Sequence, residues 1–173
     1  MSNDKPKMSL RILHLEDDPG DRELIAAALD DAGWDCEFIY AASETEFNAA
    51  LRQPNLDVIL SNFSTPSYHG LATLESARQT RPDVPFIYVS GTIGEVRAVE
   101  SLRAGATDYV LKERVERLIP VVQRALREAE LRRSQKQAEE QLRNSEQRLR
   151  RSEERFRQMA ENIPCVFWMA DAA

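Results

Sequence analysis

Asp57-Val58-Ile59-Leu60-Ser61-Asn62 is a short apolar run that ends on a carboxamide. A run of this length, closed by a loop carrying Pro66 and Gly70, reads as a buried strand followed by a turn. Three other runs end on polar groups in the same way. Leu10 to Leu15 gives way to the acidic cluster Glu16-Asp17-Asp18. Phe86-Ile87-Tyr88-Val89 ends on the hydroxyl of Ser90, and Tyr109-Val110-Leu111 ends on the amine of Lys112.

With a further run at 36–40, the pattern predicts strands over 10–15, 36–40, 57–61, 85–90 and 108–111. Amphipathic stretches between them predict helices near 21–32, 43–52, 71–81 and 95–104. The first places Leu24, Ile25, Ala28 and Leu29 at helical spacing and stops at Gly33. The second opens with Ser43 and Glu46 in a capping-box pattern, and the fourth ends before Gly105. Five βα units in sequence imply a parallel sheet with helices on both faces. Runs 57–61 and 86–89 are almost wholly apolar, as strands covered on both faces should be.

The chain has 173 residues, enough for one ordinary domain and an extension, and 42% of them are hydrophobic. No run approaches the ~18 apolar residues that read as a membrane span, so no membrane partner is expected. Cys36 and Cys165 lie far apart without metal-like spacing and read as unpaired thiols in a reducing cytoplasm. Residues 1–127 carry 14 basic and 20 acidic side chains, whereas 128–173 carry nine of each. Neither half has the basic footprint of a nucleic-acid binder.

From Arg114 to Glu161 there is no glycine, and the one proline, Pro120, falls near a helix start. Leu118, Val122, Ala125 and Ala129 form one apolar stripe, suited to packing on a sheet. A second seam runs through Leu131, Ala138, Leu142, Ser145, Leu149, Ser152, Phe156, Met159 and Ile163. From Ala138 its steps alternate four and three, a heptad pattern that predicts a coiled coil and a homodimer. At roughly 1.5 Å per residue such a helix would extend on the order of 70 Å.

In a parallel α/β sheet the carboxyl ends of the strands form the ligand crevice. Acidic pair, strand-end acceptor, hydroxyl and lysine, in that order at four such ends, resemble the receiver domain of bacterial two-component response regulators. The resemblance covers residues 10–127 and implies a flavodoxin-like, doubly wound α/β fold with a five-stranded parallel sheet. It implies that Glu16 and Asp17 bind Mg²⁺ together with the side chain of Asn62 and the backbone carbonyl of Ser64. Ser90 would contact a phosphoryl oxygen, Lys112 would pair with the acceptor, and Tyr109 would be the switch aromatic. An upstream histidine kinase or phosphotransfer protein would be the phosphoryl source. The last residues, 156–173, resemble the opening of a PAS sensor domain, which places a tail at 1–9, the receiver at 10–127 and a connecting helix at 128–155. On that reading the chain is a signalling module rather than an enzyme, and its parent is compatible with a histidine kinase.

Asn62 departs from the family, in which this position is the aspartate that takes up phosphate. A carboxamide forms no acyl phosphate and lacks the charge that draws Mg²⁺ and Lys112. The residue fits both a natural receiver that signals without phosphate and a substitution that holds the domain unphosphorylated. Glu113 stands where many receivers carry proline, so no cis peptide is expected after Lys112. Other readings remain for single residues. Glu16-Asp17-Asp18 also suits a helix entry, Tyr109 suits core packing, His14 a satisfied core position, and His69 an exposed loop. Two rival functions remain as well. One is a phosphate-independent docking block. The other is a nucleotide- or flavin-binding enzyme, although Gly91-Thr92-Ile93-Gly94-Glu95 lacks the spacing of a phosphate-binding loop.

Overall fold

In the computed structural model of the chain, which describes residues 9–65, 68–91 and 95–161, the apolar runs become parallel strands. Among the described residues seven strands form: β1 (Ser9–Leu15), β2 (Asp35–Ala41), β3 (Val58–Ser61), the two-residue β4 (Ser64–Thr65) and β5 (Tyr68–His69), β6 (Phe86–Ser90) and β7 (Asp108–Leu111). Five make the main sheet in the order β2-β1-β3-β6-β7, all parallel. The remaining two form a small antiparallel hairpin just after β3. The helices are α1 (Pro19–Asp31), α2 (Glu44–Ala50), α3 (Gly70–Thr80), α4 (Glu95–Arg103) and α5 (Leu118–Glu161). The predicted doubly wound α/β fold is the one found.

Alternating side chains divide the core between the two faces of the sheet. Leu13, Leu15, Ile59, Phe86 and Tyr88 pack with Phe47 of α2 and Leu74 and Ala77 of α3. Ile12, Val58, Leu60, Ile87 and Val89 pack with Ile25 and Leu29 of α1 and with Leu118, Val122 and Ala125 of α5. Each fully buried Leu, Ile or Phe contributes about 1.5–3 kcal/mol of transfer free energy, so β3 and β6, buried at every residue, anchor the domain.

Helix ends follow local chemistry. Asp18 caps α1, its Oδ1 accepting from the backbone N–H of Gly20 at 2.7 Å and of Asp21 at 3.1 Å. Thus Asp18 is the helix-entry residue of the acidic cluster. At α2, Ser43 Oγ accepts from Glu46 N, while Glu46 Oε2 reaches back to Ala42 N rather than to Ser43 N, one residue further than a standard capping box. Gly33 (φ +80°) closes α1, with Gly33 N bonded to Asp30 O and Trp34 N to Leu29 O. One detail of α1 differs from the periodicity. Leu24 is exposed and Ala28 only half-buried, because α1 presents a narrow stripe centred on Ile25 and Leu29.

Two compact units divide the chain, residues 1–132 and 133–173. Within the first, the Leu118, Val122, Ala125 and Ala129 stripe of α5 is buried as its spacing implied. Within the second, the described residues 133–161 are continuously helical. Their seam members Leu142, Leu149, Phe156 and Met159 are 62–74% exposed in the single chain. Residues 162–173, where the PAS resemblance falls, lie outside the described residues, as does most of the 1–9 tail. Among the described residues no helix is long and apolar enough to cross a membrane, and no peptide bond is cis.

Candidate functional site

Strand register builds the site. Parallel strands bring their carboxyl ends to one edge, and Leu15 stands opposite Ser61 on the neighbouring strand. The next residues, Glu16 and Asn62, are therefore adjacent, and the backbone N–H of Asn62 donates to Leu15 O at 2.9 Å. Across the sheet, Ser61 is level with Tyr88, and Ser90 with Leu111, so Ser90 and Lys112 rise at the same edge.

Glu16 is the hub. Its side chain is only 1% exposed, yet both carboxylate oxygens have partners. Oε2 accepts from Lys112 Nζ at 2.6 Å. Oε1 accepts from Asn62 Nδ2 at 3.3 Å and from Asp18 N at 3.2 Å. Lys112 Nζ also donates to Asp21 Oδ2 in the first turn of α1. Burial alone would pull the Lys112 ammonium down, but the hydrogen bonds to Asp21 and Glu16 outweigh it and hold its pKa above the ordinary lysine value. The amine is a fixed cation, and Glu16 and Asp21 supply the countercharge.

Glu16, Asn62 and Lys112, predicted from three of the four strand ends, do come together. Ser90 is buried at the end of β6. Tyr109 is half-buried and packs against the α2–α3 side of the core. Of the acidic pair, Glu16 is buried and Asp17 exposed. Ser64 lies two residues past Asn62, its backbone paired with His69 in the small hairpin. The side chain of His69 lies outside the described residues. His14 is a core residue as expected but not a satisfied one. It is 1% exposed, and its Nδ1 has no hydrogen-bond partner. Burial first, then Lys112 and Arg22, hold its pKa down to about 3, so it is neutral at ordinary pH.

Asp21 and Arg22 escaped the sequence reading. The signal for Asp21 was its place one turn into a helix capped by Asp18, which aims its carboxylate at the same edge. Arg22 donates through Nε to the carbonyl of Glu16 at 2.7 Å and lies over the Tyr40 ring at 5.1 Å from its centroid, fixing the backbone that carries the hub. A second unpredicted support involves Tyr88 and Gly70. The buried Tyr88 hydroxyl donates to Gly70 O at 2.7 Å, and Gly70 N donates to Phe63 O at 2.9 Å. This fastens the start of α3 to the loop that follows Asn62.

Oxygen donors of Glu16, Asp17, Asn62 and Ser64 suit a hard divalent cation in kind. Their arrangement is less favourable. Asp17 stands at the rim, Glu16 is already bonded to an ammonium, and Asn62 brings no charge. Among the described residues no three His, Cys, Asp or Glu side chains converge as a metal cluster. Chemically the pocket is one ammonium shared by two carboxylates, Glu16 and Asp21, beside a carboxamide.

Comparison with known proteins agrees with the architecture. The family profile of the response regulator receiver domain matches residues 12–123. The nitrogen assimilation regulatory protein NtrX of Azorhizobium caulinodans is 30% identical over 127 residues, covering 73% of this chain but 28% of that relative. The transcriptional regulatory protein AruR of Pseudomonas aeruginosa is 34% identical over 106 residues, 59% of this chain and 43% of AruR. Among solved structures, a CheY-like receiver domain protein from Methanospirillum hungatei superposes with a TM-score of 0.62 at 28% identity, covering 71% of this chain and 98% of that one. NtrX from Brucella abortus, solved in complex with ADP, gives 0.66 at 30% identity, covering 73% of this chain and 29% of its own. The chain thus matches 28% of the length of the Azorhizobium NtrX and 43% of that of AruR. With the profile matched over more than half its length, this chain belongs to the response regulator receiver family.

Proposed function

We propose that this chain is a receiver module of phosphorelay signalling that does not accept a phosphoryl group as it stands, and that it passes its state through a dimeric helix to a PAS-containing output. The observation that carries the reading is that Glu16 contacts both Lys112 and Asn62, so the acid and the amine of the pocket lie beside a position whose side chain is an amide. Phosphoryl transfer from a phosphohistidine needs an oxygen nucleophile in line with the leaving group and positive charge on the transferring oxygens. Lys112 supplies the charge and Ser90 a hydroxyl. Asn62 supplies no nucleophile, since its nitrogen lone pair is delocalised into the carbonyl and the amide already donates to Glu16.

Glu16, Asp17, Asn62 Oδ1 and the Ser64 carbonyl are the residues that would hold Mg²⁺, which in such a site offsets the charge of the phosphoryl oxygens. Its affinity is expected to be weak, because the cation competes with Lys112 for Glu16. Tyr109 is the aromatic whose ring position would report a change of state. The apolar seam of residues 138–159 is the dimerisation element, and a histidine kinase or phosphotransfer protein is the upstream partner for an acid-bearing form. On this reading the module works in the cytoplasm.

The docking-block reading is favoured by one observation: Lys112 is bound by Glu16 and Asp21 rather than by residue 62. Incubation with acetyl phosphate and Mg²⁺, read by intact mass, separates the two. No phosphoryl adduct is expected on this chain and one on Asn62→Asp. A stable adduct on the unaltered chain overturns the proposal, and an inert but folded Asn62→Asp variant favours the block.

A further inference from the structure

Residues 133–161 form a helix whose apolar seam is left open, and the charges beside that seam are sorted by sign. Counting heptads from the four-three steps puts Leu142, Leu149 and Phe156 at a, and Ala138, Ser145, Ser152 and Met159 at d. The flanking e positions are then Glu139, Glu146 and Glu153, all acidic. The g positions Arg148 and Arg155 are basic, and Gln141 is neutral. Arg150 and Glu154 lie off these rows and pair with each other within the helix at 3.2 Å.

Sorting of this kind has a consequence for orientation. In a parallel, in-register pair each g residue faces the e residue five positions on in the other strand. Arg148 then meets Glu153 of the second copy, twice by symmetry, and Gln141 meets Glu146. In an antiparallel pair g faces g and e faces e, which sets arginine against arginine and glutamate against glutamate. The rows are therefore complementary to themselves in one orientation only. No other sequence is needed to satisfy them.

We infer that this seam is covered by a second copy of the same chain, parallel and in register, with the Glu row and the Arg row setting direction. The inference rests on the dimeric connector proposed above and specifies its partner and polarity. The d-position serines weaken the seam but let the backbones approach closely, so Ser152 of each copy lies on the two-fold axis. A parallel pair delivers both copies of whatever follows residue 161 to the same end.

The test uses the full chain with Cys36→Ser and Cys165→Ser, adding Ser152→Cys or, as an outward-facing control at f, Gln147→Cys. Mild oxidation should convert most of the Ser152→Cys protein to a reducible covalent dimer and only a trace of the control. Arg148→Glu should raise the dimer dissociation constant about tenfold, and adding Glu153→Arg should restore it. Sedimentation equilibrium separates the possible failures. A dimer that does not cross-link through position 152, or whose charge swap is not restored, overturns the parallel register while leaving the dimer standing. A monomer overturns both, and a seam that binds only a different helix does the same.

Discussion

Lys112 Nζ and Glu16 Oε2 meet at 2.6 Å although they follow the second and fifth strands of the sheet and lie 96 residues apart. Glu16 is almost wholly buried and Lys112 nearly so, which makes this a desolvated pair rather than a surface one. Such a pair adds modest net stability, but either charge left alone in the same place is costly.

Lys112→Met should therefore destabilise the domain by about 3 kcal/mol, the range for stranding one member of a buried ion pair. Glu16→Gln in the same chain should recover at least half of that loss, because the only carboxylate then left without Lys112 is that of the partly exposed Asp21. Urea denaturation of the single and double variants measures both. A Lys112→Met variant as stable as the parent would mean that the Glu16–Lys112 pair is not a desolvated one.

Mg²⁺ should bind weakly, and Asn62→Asp should tighten it by about tenfold, since ligand charge is a main determinant of affinity for hard cations. Calorimetric titration of both proteins in one buffer checks this. Equal affinities would show that the cation does not sit beside position 62.

His14 gives the domain an acid sensitivity that one substitution should remove. Its folded pKa is about 3 against an ordinary value of 6.5. The unfolded chain takes up this proton below about pH 6.5 and the folded chain does not, so this contribution to stability is whole above that pH and is lost as pH falls toward 3. At pH 5 the loss is about 2 kcal/mol. His14→Phe, which also removes the unpartnered Nδ1, should be no less stable at pH 7 and should narrow the difference between pH 7 and pH 5 by about that amount. Melts of the two proteins at both pH values decide it, and an unchanged difference would place the acid sensitivity elsewhere.

Gly70 should tolerate no side chain. A Cβ there would lie 2.3 Å from Phe63 O, a backbone atom that moves only with the loop behind Asn62. Gly70→Ala is expected to cost about 2–4 kcal/mol, in the range of severe overpacking. Tyr88→Phe should cost less, about 1 kcal/mol, because Gly70 O keeps the hydroxyl of Thr73 at 2.8 Å. Reversal of that order in thermal melts would count against the steric account.

The apolar runs at 57–61 and 86–89, the stops at Gly33 and Gly105 and the βα alternation were enough to give the doubly wound sheet, because each depends on residues close in sequence. The amide at position 62 was equally plain, since a strand-end residue needs no tertiary contact to be identified. Sequence alone could not say how the polar groups divide their bonds. Asp17 and Asp18 look like Glu16 on paper, yet one is exposed and the other caps a helix, because the end of β1 turns only Glu16 inward. Asp21 became a partner of Lys112, His14 lost a hydrogen bond to packing, and the Tyr88 hydroxyl found Gly70. These outcomes depend on the register of five strands and on contacts between residues 18 to 96 positions apart. Periodicity fixes which face a residue takes, but only the assembled sheet fixes which groups share an edge.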